Sequence, residues 1–220
     1  STNITSTGVD IAFNEAGFVL LNIGGMPPTD LLKGKLLQYS SGEAQGSYQT
    51  ALIVDKLPRP VHLLWDDLNR NGEPDAVISG FGNKLGELVY YPDILHGGSD
   101  KTVLRSQPGA LKTEIFDFNQ DGRKDIIALF GQGDEGFFIY YNQGNGKFRE
   151  EKLMSLPPSY GSSHFELKDF NSDGHPDIIA TNGDNGDYPP LLKPYHGLRI
   201  YINDGNNNFE EGFFFPMHGA

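Results

Sequence analysis

The string DFNQDGRKD, residues 117–125, sets three aspartates, an asparagine and a glycine directly before the apolar run Ile126-Ile127-Ala128-Leu129. It recurs twice, as DLNRNGEPD over 67–75 and DFNSDGHPD over 169–177. The first aspartates, at 67, 117 and 169, stand 50 and 52 residues apart. A period near fifty marks a repeated supersecondary unit. The flanks repeat as well. Each string is preceded by a strand-like run (VHLLWD, KTEIFD, HFELKD) and followed by another (AVISGFG, IIALFGQ, IIATNGD). A glycine, at 86, 136 or 197, then opens a third run (GELVYYPD, GFFIYYNQ, GLRIYIND), and a more polar fourth follows. No long i, i+3, i+4 pattern appears, so the repeat reads as four antiparallel strands with the acidic string between the first two.

A fourth, degenerate unit lies at the start, where VDIAFNEAGFVLLNIGG reads as two strands joined by a short turn without an acidic string. The expected organisation is all-β, one β-propeller region over 1–220. Its blades span about 8–58, 60–108, 110–158 and 161–217.

Composition agrees with a turn-rich β protein: 28 glycines and 14 prolines, with 12% aromatic residues to build a core. The formal charge of −12 argues against nucleic acid and anionic membrane surfaces, both of which need clustered Lys and Arg. No stretch approaches the roughly 18 apolar residues of a membrane-spanning helix. There is no cysteine, hence no disulfide and no thiolate metal site. STNITSTGVD has neither a charged n-region nor an apolar h-region, so an exported protein would carry its signal ahead of this chain.

The spacing D-x-N-x-[DN]-G-x-x-D has a chemical meaning. Side chains at positions 1, 3 and 5 can converge on one side of a tight loop, and the glycine at position 6 supplies the sharp turn. Position 7 can offer a carbonyl oxygen, and the ninth aspartate closes the cage. A flexible all-oxygen cage suits Ca²⁺; Mg²⁺ keeps more of its water. An EF-hand would need a glutamate at position 12, where Ile78, Ala128 and Ala180 stand. The plainer alternative is an Asx-rich turn without metal. Three copies in register, with like charges crowded together, favour the cation. Three Ca²⁺ ions would halve the net charge. The first loop, with Asn71 at position 5 and Arg70 inside it, is expected to be the weakest site.

These loops, strands and period resemble the FG-GAP repeats, also known as VCBS repeats, of integrin α-subunit propellers and of many bacterial exported proteins. The resemblance covers about 50–217, with the degenerate unit before it. It implies Ca²⁺ bound through positions 1, 3, 5, 7 and 9. In the first loop these are Asp67, Asn69, Asn71, Glu73 (carbonyl) and Asp75. In the second they are Asp117, Asn119, Asp121, Arg123 (carbonyl) and Asp125, and in the third Asp169, Asn171, Asp173, His175 (carbonyl) and Asp177. The family's propellers commonly have seven blades, whereas about four are read here. The chain is therefore expected to be part of a larger ring, a small closed ring, or one of two chains that complete a ring together. An exported, extracellular, cell-surface or periplasmic setting is implied.

Ligand recognition is expected on the face opposite the acidic loops. The third repeat takes 28 residues from its first motif aspartate to the strand-opening glycine, against 19 in the other two. The excess lies in TNGDNGDYPPLLKPYH, which carries Tyr188, Lys193, Tyr195 and His196. On the strand before each loop, alternation puts Leu63/Trp65, Thr113/Ile115 and Phe165/Leu167 in the blade core. His62, Lys112, Glu114, His164 and Glu166 then fall on a central channel. That channel would either hold water or receive an anion, a sugar or a histidine-bound transition metal. No nucleophile–base pair or phosphate loop stands out. The leading reading is a non-catalytic calcium-binding adhesion or recognition module for a protein or glycan. A carbohydrate-binding or carbohydrate-active module and a structural spacer are the alternatives.

Overall fold

The computed structural model describes residues 7–25, 30–42, 46–96, 101–183 and 193–217. It is all-β, with four antiparallel four-stranded sheets, each a simple meander in chain order. The first sheet holds β1 (Gly8–Asn14), β2 (Gly17–Asn22), β3 (Leu32–Ser41) and β4 (Tyr48–Pro58). The second holds β5 (Pro60–Asp66), β6 (Asp75–Gly80), β7 (Glu87–Tyr91) and β8 (Thr102–Arg105). The third holds β9 (Ala110–Phe116), β10 (Asp125–Phe130), β11 (Gly136–Asn142) and β12 (Phe148–Ser155). The fourth holds β13 (Ser162–Lys168), β14 (Asp177–Asn182), β15 (Gly197–Asn203) and β16 (Phe209–Pro216). Short 3-10 turns at Ile94–His96 and Pro158–Tyr160 are the helical elements among the described residues. None is long or apolar enough to cross a membrane. Four meander sheets of this kind are the blades of a β-propeller-like fold.

The strand chemistry explains the layering. β6 and β10 are buried at every position, as is β11, so they read as continuous apolar runs rather than alternating ones. The last strand of each sheet is more exposed: β12 carries Arg149, Glu150, Glu151 and Lys152 in succession. The glycine that opens the third strand is sterically required. A Cβ on Gly136 (φ +150) would sit 2.1 Å from the Met154 carbonyl oxygen of the neighbouring strand.

Two compact units divide the chain: Ser1–Thr113 with Gln143–Phe148, and Glu114–Asn142 with Arg149–Ala220. In the first, Val19, Leu21 and Leu36 pack with Leu57, Leu63, Ala76 and Ile78 into one core between the first two sheets. In the second, the Phe137 ring meets Phe165 edge-on at 5.1 Å and Tyr201 at 6.5 Å.

Candidate metal loops

The three acidic strings form the β5–β6, β9–β10 and β13–β14 connections. Their backbones fold alike because the same side chains accept the same amides. In the second loop, Asp117 accepts Asp121 N through Oδ1 (3.1 Å) and Gly122 N through Oδ2 (2.7 Å). Asn119 Oδ1 accepts Asp121 N as well, at 3.1 Å, so positions 1 and 3 converge on one amide. Asp121 Oδ1 in turn accepts Arg123 N at 2.8 Å. The third loop repeats each of these bonds with Asp169, Asn171 and Asp173 as acceptors and Asp173 N, Gly174 N and His175 N as donors. The glycine at position 6 turns left-handed in all three, with φ between +86 and +90. Position 4 does too, at Arg70, Gln120 and Ser172. These are Asx turns chained end to end.

The ninth aspartate works differently. Asp75, Asp125 and Asp177 are each 0% exposed. Asp125 Oδ2 accepts Phe118 N at 3.0 Å, and its Oδ1 accepts Asn142 N at 2.8 Å. Asp177 does the same for Phe170 N (2.9 Å) and Asn203 N (2.8 Å). One carboxylate thus ties the entry of the loop to the end of the third strand. Asn142 and Asn203 complete the tie by donating Nδ2 to the Lys124 and Pro176 carbonyls. In the second sheet that place is Pro92, which has no N–H. The donor moves one residue on, and Asp93 N reaches Asp75 Oδ1 at 2.9 Å.

Charge is balanced differently in each loop. In the first, the Asn69 and Asn71 amides both donate to Asp93 Oδ1, at 3.2 and 2.6 Å, and hold that carboxyl below its ordinary value. Asp75 there accepts five donors: Leu68 N, Asn69 N, Asn69 Nδ2, Asp93 N and the Tyr90 hydroxyl. Burial still pushes its pKa up. In the second loop the Arg123 guanidinium pairs with Asp121 and donates Nε to the Asn142 carbonyl at 2.6 Å. Asp121 lies below its ordinary range, first through the Arg123 amide. Burial raises Asp125, and the charges of Asp121 and Asp117 add to that. The third loop has no arginine or lysine within 169–177. Asp173 is held low by the His175 amide and by Asn171.

Among the described residues, no group of three or more His, Cys, Asp or Glu side chains gathers as a metal site. Each loop instead mixes acids with an amide and keeps its ninth carboxylate turned inward. The donor chemistry of the second and third loops fits a hard cation. Asn119, Asp121, Asn171 and Asp173 are exposed oxygen-bearing residues, and Asp125 and Asp177 retain acceptor capacity beyond their two amides. The first loop fits less well, since a carboxylate offers about four lone-pair sites and Asp75 already takes five donors. Beside it, Asn69, Asn71, Tyr90, Pro92, Lys101 and Thr102 line a cavity of about 460 Å³.

The residues read as channel-lining have structural partners. In the first unit, the His62 ring contacts Thr113 N (3.4 Å) and Oγ1 (3.3 Å) and stands 4.0 Å from Asp10. Lys112 lies in that unit on β9, half-buried. In the second unit, Glu114 Oε2 accepts Leu167 N at 3.0 Å, and His164 pairs with Glu166 at 3.1 Å, both exposed on β13. Tyr188 lies outside the described residues. Lys193, Tyr195 and His196 form the turn that leads into β15. Tyr195 stacks on Tyr160 at 6.3 Å, and His196 is buried. Arg199, which sequence reasoning passed over, anchors this turn. It is 3% exposed, lies over the rings of Tyr160 and Phe214 at 3.8 and 4.1 Å, and bonds Asn182, Glu211 and the Tyr195 carbonyl. Asp10, Asn142 and Asn203 were likewise missed. A signal existed for the two asparagines, which share the sixth place after the strand-opening glycine.

Residues 117–180, from the first aspartate of the second loop into β14, match the family model of the FG-GAP-like repeat.

Proposed function

In a chain that carries FG-GAP-like repeat sequence on propeller-type blades, we propose that the acidic loops hold Ca²⁺. The protein then serves as a non-catalytic recognition or adhesion module of an exported protein. The third loop is the strongest site, the second intermediate and the first the weakest. Asp169, Asn171, Asp173, the His175 carbonyl and Asp177 would hold the ion in the third loop, and their equivalents in the second. The ion would supply positive charge where three aspartates stand within nine residues. The observation that carries this reading is the shared hydrogen-bond frame. Positions 1, 3 and 5 are oriented by backbone amides, identically in the second and third loops. Loops of this charge suit the millimolar calcium of extracellular modules, which supports the exported setting.

Calorimetric titration of Ca²⁺ into chelator-treated protein tests the reading. Saturable binding at two or more sites, with a raised melting temperature, is expected. Absence of both heat and thermal shift would sink it. A partner, protein or glycan, would bind the face opposite these loops, and a glycan array together with a protein pull-down decides between them.

A further inference from the structure

The first and second acidic loops are each overlaid by the hairpin tip of the following blade, and the two overlays differ by one side chain. In the second unit, Asn207 of the β15–β16 hairpin donates Nδ2 to the carbonyl of Phe118, residue 2 of the second loop, at 2.8 Å. In the first unit the overlay is the hairpin tip Gln143–Phe148. Counted back from Phe148 and Phe209, which open the last strands of their blades, Gly146 stands where Asn207 does. Both are left-handed, with φ of +68 and +63. The asparagine that reaches across the second loop is therefore a glycine at the first. The cavity of about 460 Å³ lies there, with Gly146 and Asn145 in its wall. A Cβ on Gly146 would meet Tyr90 Cε1 at 3.6 Å and Thr102 Oγ1 at 3.9 Å, ordinary contact distances, so a side chain has room at this place.

The lining says what the cavity can hold. Its volume falls within the roughly 300–1,000 Å³ of small-molecule sites. Tyr90 and Pro92 supply apolar surface, and Phe148 fixes the Tyr90 ring edge-on at 5.1 Å. Thr102 spends its hydroxyl proton on the Gly146 carbonyl at 3.2 Å and keeps its oxygen as an acceptor. Asn145 is exposed and brings an amide with both donor and acceptor character. Charge is present but matched. Lys101 at the rim pairs with Glu87 at 3.1 Å. Behind the wall, Asp93 accepts the Asn69 and Asn71 amides, and Asp75 accepts the Tyr90 hydroxyl. These carboxylates oppose an anionic ligand, and the Lys101 ammonium opposes a cation.

We propose that this cavity binds a small uncharged saccharide. Its hydroxyls meet Asn145, Thr102 and the asparagines of the first loop, and its ring carbons lie against Tyr90 and Pro92. The site stands beside the acidic loops, apart from the face proposed for the macromolecular partner. It does not draw on bound calcium, because the loop that walls it is held by its own hydrogen bonds.

Ligand-observed NMR in chelator, which keeps the test separate from calcium binding, decides the matter. The probes are glucose, galactose, mannose, N-acetylglucosamine, cellobiose and lactose, each at about 10 mM, with inorganic phosphate as the charged comparator. Saturable binding of at least one sugar is expected. Gly146→Asn, which places in the first overlay the residue that the second one carries, should weaken it at least about tenfold. Asn145→Ala should weaken it roughly three- to tenfold and serves in place of Gly146→Asn should a circular-dichroism melt show that variant unfolded. Asn207→Gly, at the equivalent place in the other hairpin, should leave it unchanged. Absence of binding by all six sugars overturns the proposal. So does a preference for phosphate, or sugar binding that survives intact in folded Gly146→Asn or in Asn145→Ala.

Discussion

The first and third acidic loops share a backbone path and differ in what balances their charge. In the first loop, two asparagine amides turn to Asp93, and Asp75 is fully engaged by five donors. In the third, Asp173 is met by the His175 N–H, the Asn171 amide and the neighbouring His175 ring, with no arginine or lysine in the string. One loop is internally satisfied, whereas the other is shaped but carries uncompensated charge. The second lies between them, because Arg123 supplies part of a cation's service to Asp121. A repeated string can therefore encode one shape with three different appetites for an ion.

The largest effect should come from the buried ninth position. Asp75→Ala is expected to cost more than Asp177→Ala in chelated protein, about 4 against about 3 kcal/mol, because more donors lose their acceptor. Thermal melts would resolve this at roughly 2–4 °C per kcal/mol. Equal losses would remove the distinction between the loops. Next in size is calcium itself. A site saturated at a hundred times its Kd adds about 2.7 kcal/mol. Asp173→Ala should therefore abolish more of the calcium-induced thermal shift than Asn71→Ala does, and the reverse ranking would break the comparison. Smaller again, Arg123→Gln should raise the calcium affinity of the second loop about three- to tenfold, by removing a competing charge. Calorimetry reads this directly, and unchanged affinity would mean that the guanidinium is not a competitor.

The smallest effect concerns acid. Asp173 has a folded pKa below its ordinary 3.8, so its stabilisation is complete above that value and lost as pH falls through the lower one. Asp75 is raised by burial, so its contribution has the opposite sign: it favours the fold at low pH and is lost as pH rises through its folded value. In chelated protein, Asp173→Asn should slightly reduce the drop in melting temperature between pH 5 and roughly pH 3. An increased drop would contradict the hydrogen-bond assignment.

The strands were legible because buried runs such as Ile126–Phe130 are interrupted at regular intervals by strings that no strand could accommodate. The turn glycines were legible because the left-handed conformation leaves few alternatives. The partner of the ninth aspartate was not. It lies 17 residues away at Asn142 and, because of the insertion, 26 away at Asn203, and it is engaged through a backbone N–H that any residue but proline carries. The roles of Asp10 and Glu114 were hidden for the same reason: each binds a main-chain amide 53 residues on. Arg199 read as an ordinary strand residue, because its aromatic partners come from a separate turn and a separate strand.

The inward-facing ninth carboxylate also bears on the sequence of events in folding. It joins loop entry, second strand and third strand through hydrogen bonds from the chain itself, so this part of a blade can close while the chain is still free of calcium. An ion that arrives afterwards binds a turn already made. Calcium should then leave the refolding rate nearly unchanged and act on the rate of unfolding, lengthening the lifetime of the folded blade rather than hastening its birth.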